Sequence, residues 1–214
     1  MISKGDAITQ WAVNQTVEFL ATSLQGELTT EQVGQLLYDS KSAWKYKKEE
    51  AAGIGTIAHN WIEDHLRGKE QPLPEHPKAR NSVEAALKWM EENRWETISI
   101  EDVVFSPTHR YAGKLDWKVR VNGVLAIADW KTSKYIYNSY RYQTAAYLKA
   151  HEEVTGEYIP DRWIMRIDKE TGEFEESYMD RESLEEDFNT FLAALQIYRR
   201  EAQLRRKSVR SERA

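Results

Sequence analysis

The sequence predicts an α/β fold, and three observations predict it. Long helical stretches come first. The dipeptide Asn122-Gly123 then separates two segments rich in Val, Ile, Leu and Trp, and a further helical segment follows them. A two-residue turn at Asn122-Gly123 sets Val121 opposite Val124, Val119 opposite Ala126 and Asp116 opposite Asp129. Directly opposed carboxylates on an antiparallel pair stand roughly 4.5–5.5 Å apart at Cβ and repel each other. A sheet tolerates them when a positive charge lies between. Lys131, two residues beyond Asp129, projects to the same side of its strand.

The elements follow in order. Ile8, Trp11, Ala12, Phe19 and Leu20 mark one apolar side of a helix over 6–21, with Asp6 as its N-cap and Gln25-Gly26 as its break. Thr29 with Gln32 forms a capping-box pattern that opens a second helix, running to about Tyr38. A third helix is expected from about Ser42 to Leu66, where Gly55, His59 and Glu63 recur every four residues along one face. His59 can be a metal ligand or a helical histidine paired with Glu63. Trp11 and Trp44 read as core aromatics, with base stacking as the other reading.

Three prolines make 68–79 a loop, and a helix over about 79–93 follows it. Residues 97–105 read as a strand carrying Glu101, which leads into the hairpin. Asn138 or Ser139 can cap a helix reaching about His151, with Gln143 and Tyr147 on one face. Residues 158–167 and 173–179 read as strands. A last helix over about 181–206 places Leu184, Phe188, Phe191, Leu192, Leu195 and Tyr198 at helical spacing.

Composition narrows the function classes. A chain of 214 residues with 41% hydrophobic and 30% charged residues describes a soluble globular protein. The absence of cysteine excludes a disulfide framework, a zinc–thiolate site and a cysteine-ligated iron–sulfur cluster. No apolar run approaches a membrane span, and the first residues lack a signal-peptide core, so the expected location is cytoplasmic. A net charge of −5 means that nucleic-acid contact would rely on local basic patches. One such patch lies between Arg199 and Arg213, where seven Lys and Arg against two Glu give a local charge of +5. That tail either binds a nucleic-acid backbone or is a solubilising end.

Taken together, Gly113-Lys114-Leu115-Asp116, Asp129-Trp130-Lys131, Gln143 with Tyr147, and Gly55-Thr56-Ile57-Ala58-His59 with Glu63 form an ordered set. This set resembles the PD-(D/E)XK nucleases of the RecB-like branch, which includes phage-type exonucleases. The resemblance covers roughly residues 44–150. It implies a single nuclease domain over 1–214: a helical addition over 1–43, a restriction-endonuclease-like αβββαβ core over 44–168, and a C-terminal strand, helix and basic tail over 169–214. It implies a mixed sheet flanked by the His59 and Gln143 helices.

It further implies one or two Mg²⁺ or Mn²⁺ ions, the hard cations that such oxygen ligands suit. Asp116, Asp129, His59 and the Trp130 carbonyl would hold them, with Glu63 and Glu101 as further candidates. Lys131 would position the attacking water or stabilise the pentacoordinate transition state, Gln143 would orient Lys131 or a phosphate oxygen, and Tyr147 would buttress the site. The implied activity is exonucleolytic processing of linear DNA ends, single-stranded ones among them, during recombination or repair in a bacterial or phage-infected cell. A recombinase, a single-strand-binding protein or a helicase would be the partner. Candidate DNA contacts are Lys134, Tyr140, Arg141, Arg205, Arg206 and Lys207. The tyrosines at 135, 137, 140 and 142 either stack on unpaired bases or pack at the domain edge. A structure-specific endonuclease and a catalytically idle binding module stand as the alternatives.

Overall fold

The computed structural model describes residues 4–24, 28–168 and 170–211, without the side chains of 4–11, 44, 46–47, 50–51 and 207–211. It is an α/β protein with a five-stranded mixed sheet and six helices among the described residues. The helices are α1 (Lys4–Ser23), α2 (Thr30–Ser40), α3 (Ala43–Leu66), α4 (Pro77–Glu92), α5 (Asn138–Thr155) and α6 (Leu184–Ser211). The strands are β1 (Trp95–Ser106), β2 (Tyr111–Val121), β3 (Val124–Thr132), β4 (Asp161–Ile167) and β5 (Phe174–Met179). The chain divides into two compact units, residues 1–56 and 57–214, with the division falling inside α3.

In the first unit, α2 starts as its sequence dictates. Thr29 accepts a hydrogen bond from the Gln32 amide, and the Gln32 side chain accepts one from the Thr29 amide. Asp6 is not an N-cap, because α1 already begins at Lys4. The readings of Gln25-Gly26, Trp11 and Trp44 lie outside the described residues.

In the second unit the strands lie in sequential order. β1–β2, β2–β3 and β4–β5 pair antiparallel, and β3–β4 pair in parallel through the α5 crossover. The predicted turn forms: Asn122 and Gly123 both have positive φ, at 51° and 89°, as a tight hairpin of matching twist requires. Val121 faces Val124 and Val119 faces Ala126.

One sheet face is covered by Ala58, Ile62 and Leu66 of α3 and Val83, Ala86, Trp89 and Met90 of α4. The other lies under Ala145, Leu148 and Ala150 of α5 and Leu184 and Phe188 of α6. Tryptophan dominates the first layer. Trp89 sits edge-on to Trp117, Trp130 and Trp163 at ring-centre distances of 6.3–6.5 Å, and Trp117 stacks on Trp130 at 6.0 Å.

Two helix starts differ from expectation. Tyr137 occupies the N-cap of α5 without a side-chain cap bond, so neither Asn138 nor Ser139 caps it. α6 begins at Leu184 rather than Arg181, because the Arg181 guanidinium is drawn to Glu152 and to the Ile159 carbonyl.

Candidate active site

The site forms where two strands part. β2 pairs with β1 along its whole length, from Val121 to Tyr111. Its pairing with β3 runs only from Val121–Val124 to Trp117–Ala128. Beyond that point Tyr111 and Leu115 pack with the α5 layer, whereas Trp117, Val119 and Val121 pack with the tryptophan layer. Asp116 stands at the mouth of this fork. There its Oδ2 accepts a hydrogen bond of 3.1 Å from the Trp130 amide, the place a strand carbonyl would otherwise fill. A residue's N–H and C=O point to the same side of a strand, so the Trp130 carbonyl also faces the fork.

Alternation along β3 separates structure from chemistry. Trp130 is buried in the tryptophan cluster, while Asp129 and Lys131 turn to the opposite face. Asp129 is 1% exposed, and its Oδ1 has no hydrogen-bond donor among the described residues. Lys131 Nζ lies 2.5 Å from Asp129 Oδ2, an ion pair within hydrogen-bond distance. Burial, with the nearby Asp116 charge adding to it, pushes the Asp129 carboxyl up to about 7. Burial is the largest single influence on Lys131 and favours the neutral amine, but the charge and hydrogen bond of Asp129 with the nearby Asp116 charge together hold it above its ordinary range.

His59 arrives from α3, its Nδ1 4.0 Å from Asp116 Oδ2. Burial lowers its pKa despite the Asp116 charge and the Trp130 backbone carbonyl against its ring, so the imidazole is neutral at pH 7. A lone pair is then available to a cation. His59 thus approaches Asp116, Asp116 acts on Asp129, and the Trp130 carbonyl lies against the imidazole, but the three side chains do not converge as a metal-holding group.

The Gln143–Tyr147 pair lies beside them on α5. Gln143 Nε2 donates to the Tyr147 hydroxyl at 2.7 Å. The ring of Tyr147 lies flat against β2 at Gly113: a Cβ there would sit 2.2 Å from Tyr147 Cε1. The glycine of Gly-Lys-Leu-Asp thus exists for the tyrosine of Gln-x-x-x-Tyr.

Other candidates stand differently. Glu63 is ion-paired with Arg67 one turn along α3. Glu101 pairs with Lys114 across β1–β2 and has φ of 62°, a strained conformation for a non-glycine residue. Among the described residues no three His, Asp or Glu side chains converge as a metal-holding group, so neither glutamate joins His59, Asp116 and Asp129 in a ready-made cage.

Arg141, expected to meet DNA, instead turns to Asp187 of α6 at 3.3 Å. Asp187 also binds Arg162 Nη2 at 2.8 Å, and Arg162, 1% exposed, donates further to the Arg141 carbonyl and to Ser183. Arg141 ties α5 to α6. In the basic C-terminal stretch, Arg199 is held by the carbonyls of His109 and Arg110, Arg205 and Arg206 are exposed, and the side chain of Lys207 lies outside the described residues.

Sequence reasoning missed Arg166. It pairs in register with Lys131 across β3–β4, is 4% exposed, and is held by Glu175 at 2.9 Å. Its signal was there: Arg162 and Arg166 stand four apart in an otherwise apolar strand, so both point to the α5 side.

No helix among the described residues is long and apolar enough to cross a membrane. The chain matches no family model and no curated protein.

Proposed function

We propose that the protein is a divalent-metal-dependent deoxyribonuclease with a restriction-endonuclease-like core, acting as an exonuclease on linear DNA in recombination or repair. One observation carries this reading. Two aspartates meet where the strands part, one of them buried, with one oxygen lacking a donor among the described residues and the other against a lysine ammonium. A structural ion pair has no need of a second carboxylate held against the first, because like charges at that spacing cost stability. The donor types suit a hard cation, although the three side chains are not drawn together as a finished cage: Asp129 Oδ1 has no hydrogen-bond donor among the described residues, Asp116 and the Trp130 carbonyl face the same gap, and burial favours neutral His59.

Asp116, Asp129, His59 and the Trp130 carbonyl would hold Mg²⁺ or Mn²⁺. When bound, the ion lowers the pKa of its water and offsets charge on the phosphate. The chain's own groups do the rest. Lys131, kept protonated, is suited to stabilising negative charge on phosphate oxygens rather than to taking a proton. Gln143, held by the Tyr147 hydroxyl, orients a phosphate oxygen or the lysine. Tyr147, braced on Gly113, keeps α5 at a fixed height above β2. DNA is the partner on this reading, with a recombinase, single-strand-binding protein or helicase supplying the ends.

The test is incubation of linear and covalently closed circular DNA with Mg²⁺, Mn²⁺ or EDTA, using the wild type and Asp129→Asn. Metal-dependent loss of linear DNA only, absent in the variant, is expected. Nicking of circles would make the protein an endonuclease. A variant that cuts like the wild type would falsify the site, and no cutting by the wild type would leave a binding module.

A further inference from the structure

The loop between β3 and α5 carries Lys134 and the tyrosines for which base stacking and edge packing were the two readings. Its backbone is pinned: Ser133 Oγ donates to the Tyr135 carbonyl at 2.9 Å, and buried Arg166 donates to the Lys134 carbonyl at 3.3 Å. Its aromatic side chains nevertheless face water, with Tyr135 57% and Tyr137 49% exposed. The rings are ordered relative to one another. Tyr135 meets Tyr137 edge-to-face at 6.4 Å, Tyr137 meets Tyr140 edge-to-face at 5.6 Å, and Lys131 Nζ lies 5.2 Å from the centre of Tyr140. At the outer end Lys134 Nζ stands 5.4 Å from the centre of Tyr135. A track of tyrosines therefore runs from solvent to the ammonium beside Asp129, with a second ammonium at its entrance.

Packing alone does not account for this track. Half-exposed rings add little to a core, yet the backbone holding them is fixed by a buried arginine. An edge-to-face contact covers only one face of one of its two rings, so the half-exposed Tyr135 and Tyr137 keep ring surface for a planar base, with Lys134 beside it for the phosphate. Paired bases already stack within the duplex and offer no free faces.

We infer that Tyr135 and Tyr137, with Lys134, form a stacking platform for unpaired nucleotides, so that the substrate end is single-stranded DNA threaded toward Lys131. This rests on the nuclease reading and specifies its substrate.

The test is fluorescence anisotropy in EDTA with labelled oligothymidine, its duplex with oligodeoxyadenosine, an abasic oligomer of equal length and oligouridine, using the full chain. Wild-type protein should bind oligothymidine most tightly and the abasic strand much more weakly. Tyr135→Ala with Tyr137→Ala should weaken single-strand binding about 5- to 140-fold for each base unstacked. Duplex affinity and melting temperature should hold, and the double Phe variant should retain binding. Unchanged single-strand affinity in the Ala variant, equal affinity for the abasic strand, or preference for oligouridine would overturn the platform. If the Ala variant also cuts single strands normally with Mn²⁺, the nuclease reading stands without it. A wild type that neither binds nor cuts any DNA overturns both.

Discussion

Replacing Asp129 by Asn should make the protein more stable, and the amount should depend on pH. The carboxyl is held at about 7 rather than 3.8, chiefly by burial. The folded state therefore binds its proton more tightly than the unfolded chain does, and stability falls as pH rises from near 4 to near 7. By pH 8 the ionised acid costs at most about 4 kcal/mol relative to a neutral isostere, and at pH 5 about 2 kcal/mol. Asn removes that cost. For a unit of this size the gain at pH 8 corresponds to up to roughly 8–16 °C in melting temperature.

The assay is thermal unfolding by circular dichroism in EDTA at pH 8, pH 5 and pH 4. The gain should shrink steadily and vanish near pH 4. Mn²⁺ should raise the melting point of the wild type and leave Asp129→Asn unmoved, since a ligand that binds the folded state alone stabilises it. An Asn variant that melts lower at pH 8, or whose gain ignores pH, would refute the account of a strained buried acid.

Two further perturbations probe the scaffold. Gly113→Ala drives a methyl group into the Tyr147 ring and should cost about 1–3 kcal/mol. In denaturant melts that loss should disappear when Tyr147→Ala is already present, and strict additivity would break the proposed contact. Asp187→Ala strands the buried Arg162 guanidinium and should cost about 3–5 kcal/mol. A loss below 1 kcal/mol in the same melts would mean that the α5–α6 tie is not electrostatic.

The hairpin was legible because Asn-Gly has a conformational preference that few dipeptides share, and alternation then placed Asp129 and Lys131 on one face; Asp116 lies just past the last paired residues, Trp117 and Ala128, so register alone did not set it opposite Asp129. The capping box of α2 was legible for the same reason: its bonds span three residues. What escaped depends on distance along the chain. Arg141 looked like a free cation because Asp187, its partner, lies 46 residues away. Gly113 read as part of a motif, yet its cause is a ring carried on another element. The fork was equally hidden, since a strand's sequence does not announce where a neighbour leaves it. Glu101 read as an ordinary strand residue, although its backbone is left-handed.

The tryptophan layer has one more consequence. Because Trp130 lies between Asp129 and Lys131, a shift of β3 by a single position would exchange indole for carboxylate across the sheet. The cluttered, poorly substitutable seat around Trp130 thus acts as a ratchet tooth, admitting only the alignment in which both polar neighbours emerge where they are useful. A slipped strand would bury both charged neighbours in the tryptophan layer, so it would cost the fold together with the chemistry.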